Sequence, residues 1–252
     1  LVGYLPSGTG AVATTVQNEL NRVVRVENFG TDYTAAINAM AQAIATGSNL
    51  VFGKTGTGIY DFGDNEFVVA TAGISIEFAQ GVEIRGTGAN TGFIVSFASA
   101  GGTAQPVSAH PTNQRVTGMR VRSVTPYSAS ATRSPVRVCG SYNIFTDCSA
   151  TTSADNGGNG WMLESDNTGS GPYYNTFLDC NIQGPQNGAA TGSGVAMRQK
   201  SGTSVATRYP NTNTFIGGRI GGYSVNAELC GSGNRFIGVA SENSAGYGTA
   251  FK

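Results

Sequence analysis

The chain has 252 residues, 37 of them glycine, with 12% charged residues and a formal net charge of zero. That length can bury a sizeable core, and the composition suits many short strands joined by tight turns better than a helical bundle. Lys and Arg form no cluster and no apolar run is long enough to span a bilayer, so neither a nucleic-acid partner nor membrane insertion is expected.

In chain order, residues 1–23 read as an extended connector. The sequence starts without Met and carries no signal peptide, so it reads as a piece of a longer chain made in a cytoplasm. Val24-Arg25-Val26-Glu27-Asn28-Phe29-Gly30 reads as a first strand ending in a glycine turn. A helix over about 32–46 follows, capped by Thr31 or Asp32 and stopped by Gly47, with Ile37, Met40, Ala41 and Ile44 on its apolar face. Beyond it, Phe67–Ala70, Ile74–Phe78 and Val82–Gly86 are short alternating segments divided by turns, the pattern of strands with one buried face.

Three of these stretches also carry a resemblance. Residues 24–30, then Asp32-Tyr33-Thr34-Ala35-Ala36-Ile37, then Leu50-Val51-Phe52-Gly53 with Gly56 and Gly58-Ile59-Tyr60, resemble the entrance of pectate-lyase-like parallel β-helices in bacteriophage tailspikes and tail fibres. The resemblance implies an all-β fold: a right-handed, single-stranded parallel β-helix over 24–252 with an N-terminal capping helix. It further implies a homotrimer in the virion tail, in contact with other tail or baseplate proteins and attached to a bacterial surface glycan, capsule or O-antigen. Under it the chain either depolymerises that glycan or only binds it; the alternative is a non-catalytic shaft that positions another receptor-binding domain. No cofactor or metal is implied. A lyase of this shape would need an acidic Ca²⁺ cluster beside an Arg or Lys base, which the sequence lacks, so cleavage is expected to be hydrolytic.

The second half repeats itself. Asn-x-Phe recurs at Asn143, Asn175, Asn213 and Asn234, and the four Phe residues that follow are 32, 38 and 21 residues apart. Repetition on this scale marks a solenoid, with the Phe residues stacked inside and the Asn residues in a turn ladder. The longer spacings hold insertions at 153–160, 166–174, 184–194 and 200–213, which are the expected recognition loops. Cys148 and Cys180 fall at equivalent steps after their repeats, Cys139 and Cys230 at equivalent steps before theirs. They read either as disulfide or metal partners or as small apolar fillers.

Glycoside hydrolysis needs two carboxyl groups about 5–9.5 Å apart. One candidate pair is Glu164 and Asp166, which share a strand face after Trp161, the sole Trp and a candidate sugar platform. If Trp161 and Leu163 point inward, Glu164 is instead a solvated outward residue. The second pair is Asp147 and Asp179 in neighbouring turns, where proximity would raise one pKa, or where both simply cap backbone amides. Glu228 is a further candidate, and His110 has no triad partner. Tyr173, Tyr174 and Tyr209 sit in the polar insertions as either glycan contacts or subunit contacts.

Overall fold

The computed structural model describes residues 3–4, 14–15, 22–88, 93–98, 111–124, 134–152, 158–165, 171–185, 192–199, 209–242 and 249–251. Most of the expected connector therefore lies outside the described residues; within it, Gly3–Tyr4 pairs antiparallel with Thr14–Thr15.

Each successive turn of chain lays one strand onto each of three parallel sheets. Sheet 1 runs through eight strands from Val23–Arg25 to Arg235–Ile237, sheet 2 through seven from Ile59–Asp61 to Ala240–Glu242, and sheet 3 through seven from Phe67–Val68 to Thr249–Phe251. This is a parallel β-helix: every neighbour within a sheet comes from the adjacent coil. Strand twist makes parallel crossovers right-handed.

In-register pairing turns period-two alternation into continuous internal columns. In sheet 1 the column is Val24, Leu50, Ile76, Val116, Phe145, Phe177, Phe215 and Phe236. In sheet 3 it includes Phe67, Val95, Val136, Trp161, Val195 and Ala227. The four Phe rings of the repeat stack nearly parallel at centroid separations of 5.0, 4.2 and 4.7 Å. Trp161 meets Phe145 and Phe177 edge-on, at 5.1 and 5.2 Å. The inward sheet 2 position of the same coil is the small Ala150. Each such buried aromatic contributes about 1.5–3 kcal/mol through burial alone.

A polar column runs beside the Phe stack. Asn143 Oδ1 accepts from Gln114 N, Asn175 Oδ1 from Asn143 N, Asn213 Oδ1 from Asn175 N, and Asn234 Oδ1 from Asn213 N, at 2.9, 2.9, 3.2 and 2.9 Å. Asn175, Asn213 and Asn234 also donate through Nδ2 to the carbonyls of Gly140, Pro172 and Pro210. The Asn of the repeat is thus fully buried at the first three of these positions and satisfies backbone groups that the turn leaves without strand partners.

Helix α1 (Tyr33–Thr46) covers the first coil. Asp32 Oδ1 accepts from Ala35 N at its start, and Gly47 ends it in the left-handed region at φ 64°. Its buried face is Ala35, Ala36, Ala39, Met40 and Ala43, which corrects the face expected from spacing. Ile37 and Ile44 are 37% and 48% exposed. The small Ala side chains let the helix approach the coil closely, and the rotation this needs turns both Ile residues outward.

Candidate functional site

Tight turns and long connections are not distributed evenly. In the last five coils, two residues separate each sheet 1 strand from the next sheet 2 strand, as between Ile144–Thr146 and Ser149–Thr152. That turn places Gly118, Asp147, Asp179, Gly217 and Gly238 at φ 71°, 50°, 50°, 64° and 62°. Asp is among the few residues with a side chain that enters this region at modest cost, which explains Asp147 and Asp179 as turn formers. Arg120 forks onto both carboxylate oxygens of Asp147 at 2.9 Å and also bonds its backbone oxygen.

Apart from the segment that holds helix α1, the connections of eight or more residues between strands of the three sheets instead enter or leave sheet 3. They include 87–94, 124–135, 153–160 and 184–192 on the side of sheet 2, and 98–114, 166–175 and 200–213 on the side of sheet 1. The outward row of sheet 3 is also buried, although it faces away from the core: Ser96 and Ala196 are fully covered and Met162 nearly so.

Within this row sits a buried guanidinium. Arg137 Nη2 pairs with Glu66 Oε1 at 2.8 Å and Nη1 with Glu164 Oε2 at 3.6 Å. Its Nε donates to Ser96 Oγ at 3.1 Å, and the Phe93 ring lies 4.2 Å from its central carbon. Two carboxylates are therefore oriented by one cation on the outer side of sheet 3. The guanidinium fixes the placement of both carboxylates, which makes Glu164 the candidate base or nucleophile of this face.

The expected site residues divide as follows. Glu164 lies in this cluster, and Asp166 lies outside the described residues, as does His110. Trp161 is fully buried between two Phe rings; it offers no face to a sugar, which corrects its reading as a platform. The structure does not bring Asp147 and Asp179 to Glu164, because they belong to the opposite turn. Tyr173 and Tyr209 are half-buried, whereas Tyr174 is 52% exposed. Glu228 accepts from Ser193 Oγ at 3.1 Å. None of the four Cys residues forms a disulfide; burial pushes the Cys148 thiol up, with Cys180 beside it adding to the shift, as befits an inert core filler.

Sequence reasoning missed Glu66, Arg137 and Tyr142. Arg137 left a signal, being a charge between Val136 and Val138 in an apolar strand. Tyr142 left a stronger one, since Tyr142-Asn143 and Tyr174-Asn175 share one step of the repeat. The two Tyr rings stack 5.1 Å apart at 11°. Their backbones hold φ of 59° and 56°, a conformation that costs about 1–2 kcal/mol for a residue with a Cβ.

Comparison with solved structures aligns this chain with tailspike protein 3 of bacteriophage CBA120, at 16% identity and a TM-score of 0.46, over 99% of this chain and 38% of that one. It also aligns with an open-reading-frame product of Geobacillus virus E2, at 14% identity and a TM-score of 0.45, over 96% of this chain and 67% of that one. The chain thus spans well under half the length of the first of these proteins. No family model and no curated protein matches the sequence. Among the described residues, no helix is long and apolar enough to cross a membrane.

Proposed function

We propose that this chain is a component of a bacteriophage tail that attaches to a bacterial surface polysaccharide through the outer side of sheet 3. The supporting observation is that the long connections, the helix segment apart, begin or end at that sheet, whose outward row is buried and carries the Arg137 and Glu164 charges. Solenoids build binding surfaces from such one-sided insertions. The resemblance of residues 24–60 to the entrance of phage tailspike β-helices supplies the biological setting, the virion tail and the homotrimer.

Hydrolysis of the bound glycan is a further step in this reading. Glu164 would act as base or nucleophile, and Asp166, two residues on, would complete the carboxyl pair. The test is incubation of the purified chain with capsular and O-antigen polysaccharides. Released oligosaccharide that disappears in Glu164→Gln and Asp166→Asn supports cleavage. Binding with no release, unchanged in both variants, leaves attachment alone.

A second reading is favoured by the unbroken Asn and Phe columns, which make the coils from 143 to 236 a stiff rod. In it the chain is a shaft that positions another receptor-binding domain. Absence of glycan binding by this chain, with binding restored in a longer one, decides for the shaft.

A further inference from the structure

The connection from sheet 3 into sheet 1 repeats one backbone conformation in five successive coils, at Asn113, Tyr142, Tyr174, Thr212 and Gly233, with φ from 56° to 70°. Adjacent steps are tied by backbone bonds, from Tyr142 N to Tyr173 O and from Tyr174 N to Asn211 O. Gly and Asn are the residues such a position favours. Two neighbouring coils carry Tyr instead.

Packing does not account for them. Tyr142 is 54% exposed and Tyr174 52%, and neither belongs to the buried cluster that unites the three sheets. Each ring stacks on the other through one face. The equivalent positions in the adjoining coils carry shorter side chains: Asn113 before Tyr142, and Thr212 then Gly233 after Tyr174. A Cβ at Gly233 would lie 3.2 Å from Thr212 Oγ1, so glycine keeps that shelf low. The row one residue before this ridge holds Thr112, Ser141, Tyr173, Asn211 and Ser232, all uncharged. An aromatic face bordered by hydroxyls and amides, without formal charge, matches the apolar face and hydroxyl rim of a neutral sugar ring. A second copy of the chain is the competing occupant of this ridge.

We propose that the Tyr142–Tyr174 step is a saccharide-stacking site for a neutral hexopyranose unit of a bacterial polysaccharide. Tyr174 supplies the platform, Tyr142 backs it, and the Thr212 hydroxyl and the phenols supply hydrogen bonds. The site rests on the reading that this chain attaches to glycan, but it lies outside the Glu66–Arg137–Glu164 cluster, so the two can fail separately.

The experiment probes an array of purified bacterial capsular and O-antigen polysaccharides with the wild-type chain, Tyr174→Ala, Tyr174→Phe, Tyr142→Ala and Glu164→Gln. Tyr174→Ala is expected to weaken binding about tenfold, Tyr142→Ala by less, and Tyr174→Phe to stay near wild type, with thermal midpoints not lowered in any of the three. Equal binding by Tyr174→Ala and wild type, with loss only in Glu164→Gln, overturns this site and keeps the attachment reading. No binding by the wild-type chain overturns both. Dissociation of a wild-type oligomer by Tyr174→Ala, with glycan binding intact, shows that a second copy covers the ridge and overturns the saccharide site.

Discussion

Replacing Asn175 tests the polar column that holds the coils in register. Its Oδ1 accepts from Asn143 N at 2.9 Å, and its Nδ2 donates to Gly140 O and to Asn213 Oδ1, both at 3.0 Å. In Asn175→Ala the Asn143 N–H and the Gly140 carbonyl lose these partners inside a site with no exposure. Each orphan costs about 1–3 kcal/mol, so the loss is about 4 kcal/mol. Because a solenoid's stability is a sum of coil and interface contributions, the loss concentrates between the coils of Asn143 and Asn175. Urea unfolding followed by circular dichroism reads the total, and amide exchange at Asn143 reads the location. A loss under about 1 kcal/mol with the Asn143 amide still protected refutes the reasoning.

Asn175→Asp sharpens the same test. The carboxylate can still accept from Asn143 N, but its second oxygen faces two acceptors, so the buried group binds a proton more tightly than in the unfolded chain, where its pKa is about 3.9. With the folded value raised, the stability contributed by the protonated form is complete below about pH 4 and is lost as pH rises through the folded value. Asn175→Asp is therefore closer to wild type at pH 4 than at pH 7, and a flat difference across that range refutes the orientation of the amide.

Other outcomes follow from the same columns and turns. Gly218→Ala puts a Cβ 2.1 Å from the Cys180 carbonyl oxygen at φ 74°, whereas at Gly238, φ 62°, nothing lies within 4 Å. Thermal unfolding should show Gly238→Ala losing about 1 kcal/mol from conformation alone and Gly218→Ala clearly more. Phe177→Ala removes a ring that contacts Phe145, Trp161 and Phe215; urea unfolding should show a loss of about 3–5 kcal/mol. Burial, then the Glu27 carboxylate, push Tyr60 up to about 12 from a usual value of about 10. The neutral phenol is the form the fold prefers, so stability is complete below pH 10 and falls as pH rises through 12. Unfolding midpoints across that range, compared with Tyr60→Phe, check this.

The solenoid was legible in the sequence. Asn-x-Phe at four places requires equivalent environments, and a column of identical steps is the arrangement that a stack of coils provides. The helix with its Asp32 cap and Gly47 stop was also legible, because capping is local chemistry. Its buried face was not: apolar periodicity favoured Ile37 and Ile44, while the close approach to the first coil selected Ala36, Ala39 and Ala43. Asp147 and Asp179 were legible as neighbours, but the left-handed turn that explains them became visible only alongside Gly118, Gly217 and Gly238 in the same column.

The candidate site depended almost wholly on tertiary structure. Glu66 and Glu164 are 98 residues apart in the chain, and what joins them is the long reach of Arg137 across neighbouring strands of sheet 3. Trp161 was conspicuous as a lone aromatic beside carboxylates, yet the same strand alternation that turns Glu164 outward drives Trp161 into the core. The insertions could be counted from the repeat spacing, but their gathering at the edges of one sheet follows from which turn of each coil they occupy. Local pattern sets the repeat, and the winding of the chain decides which distant residues share a face.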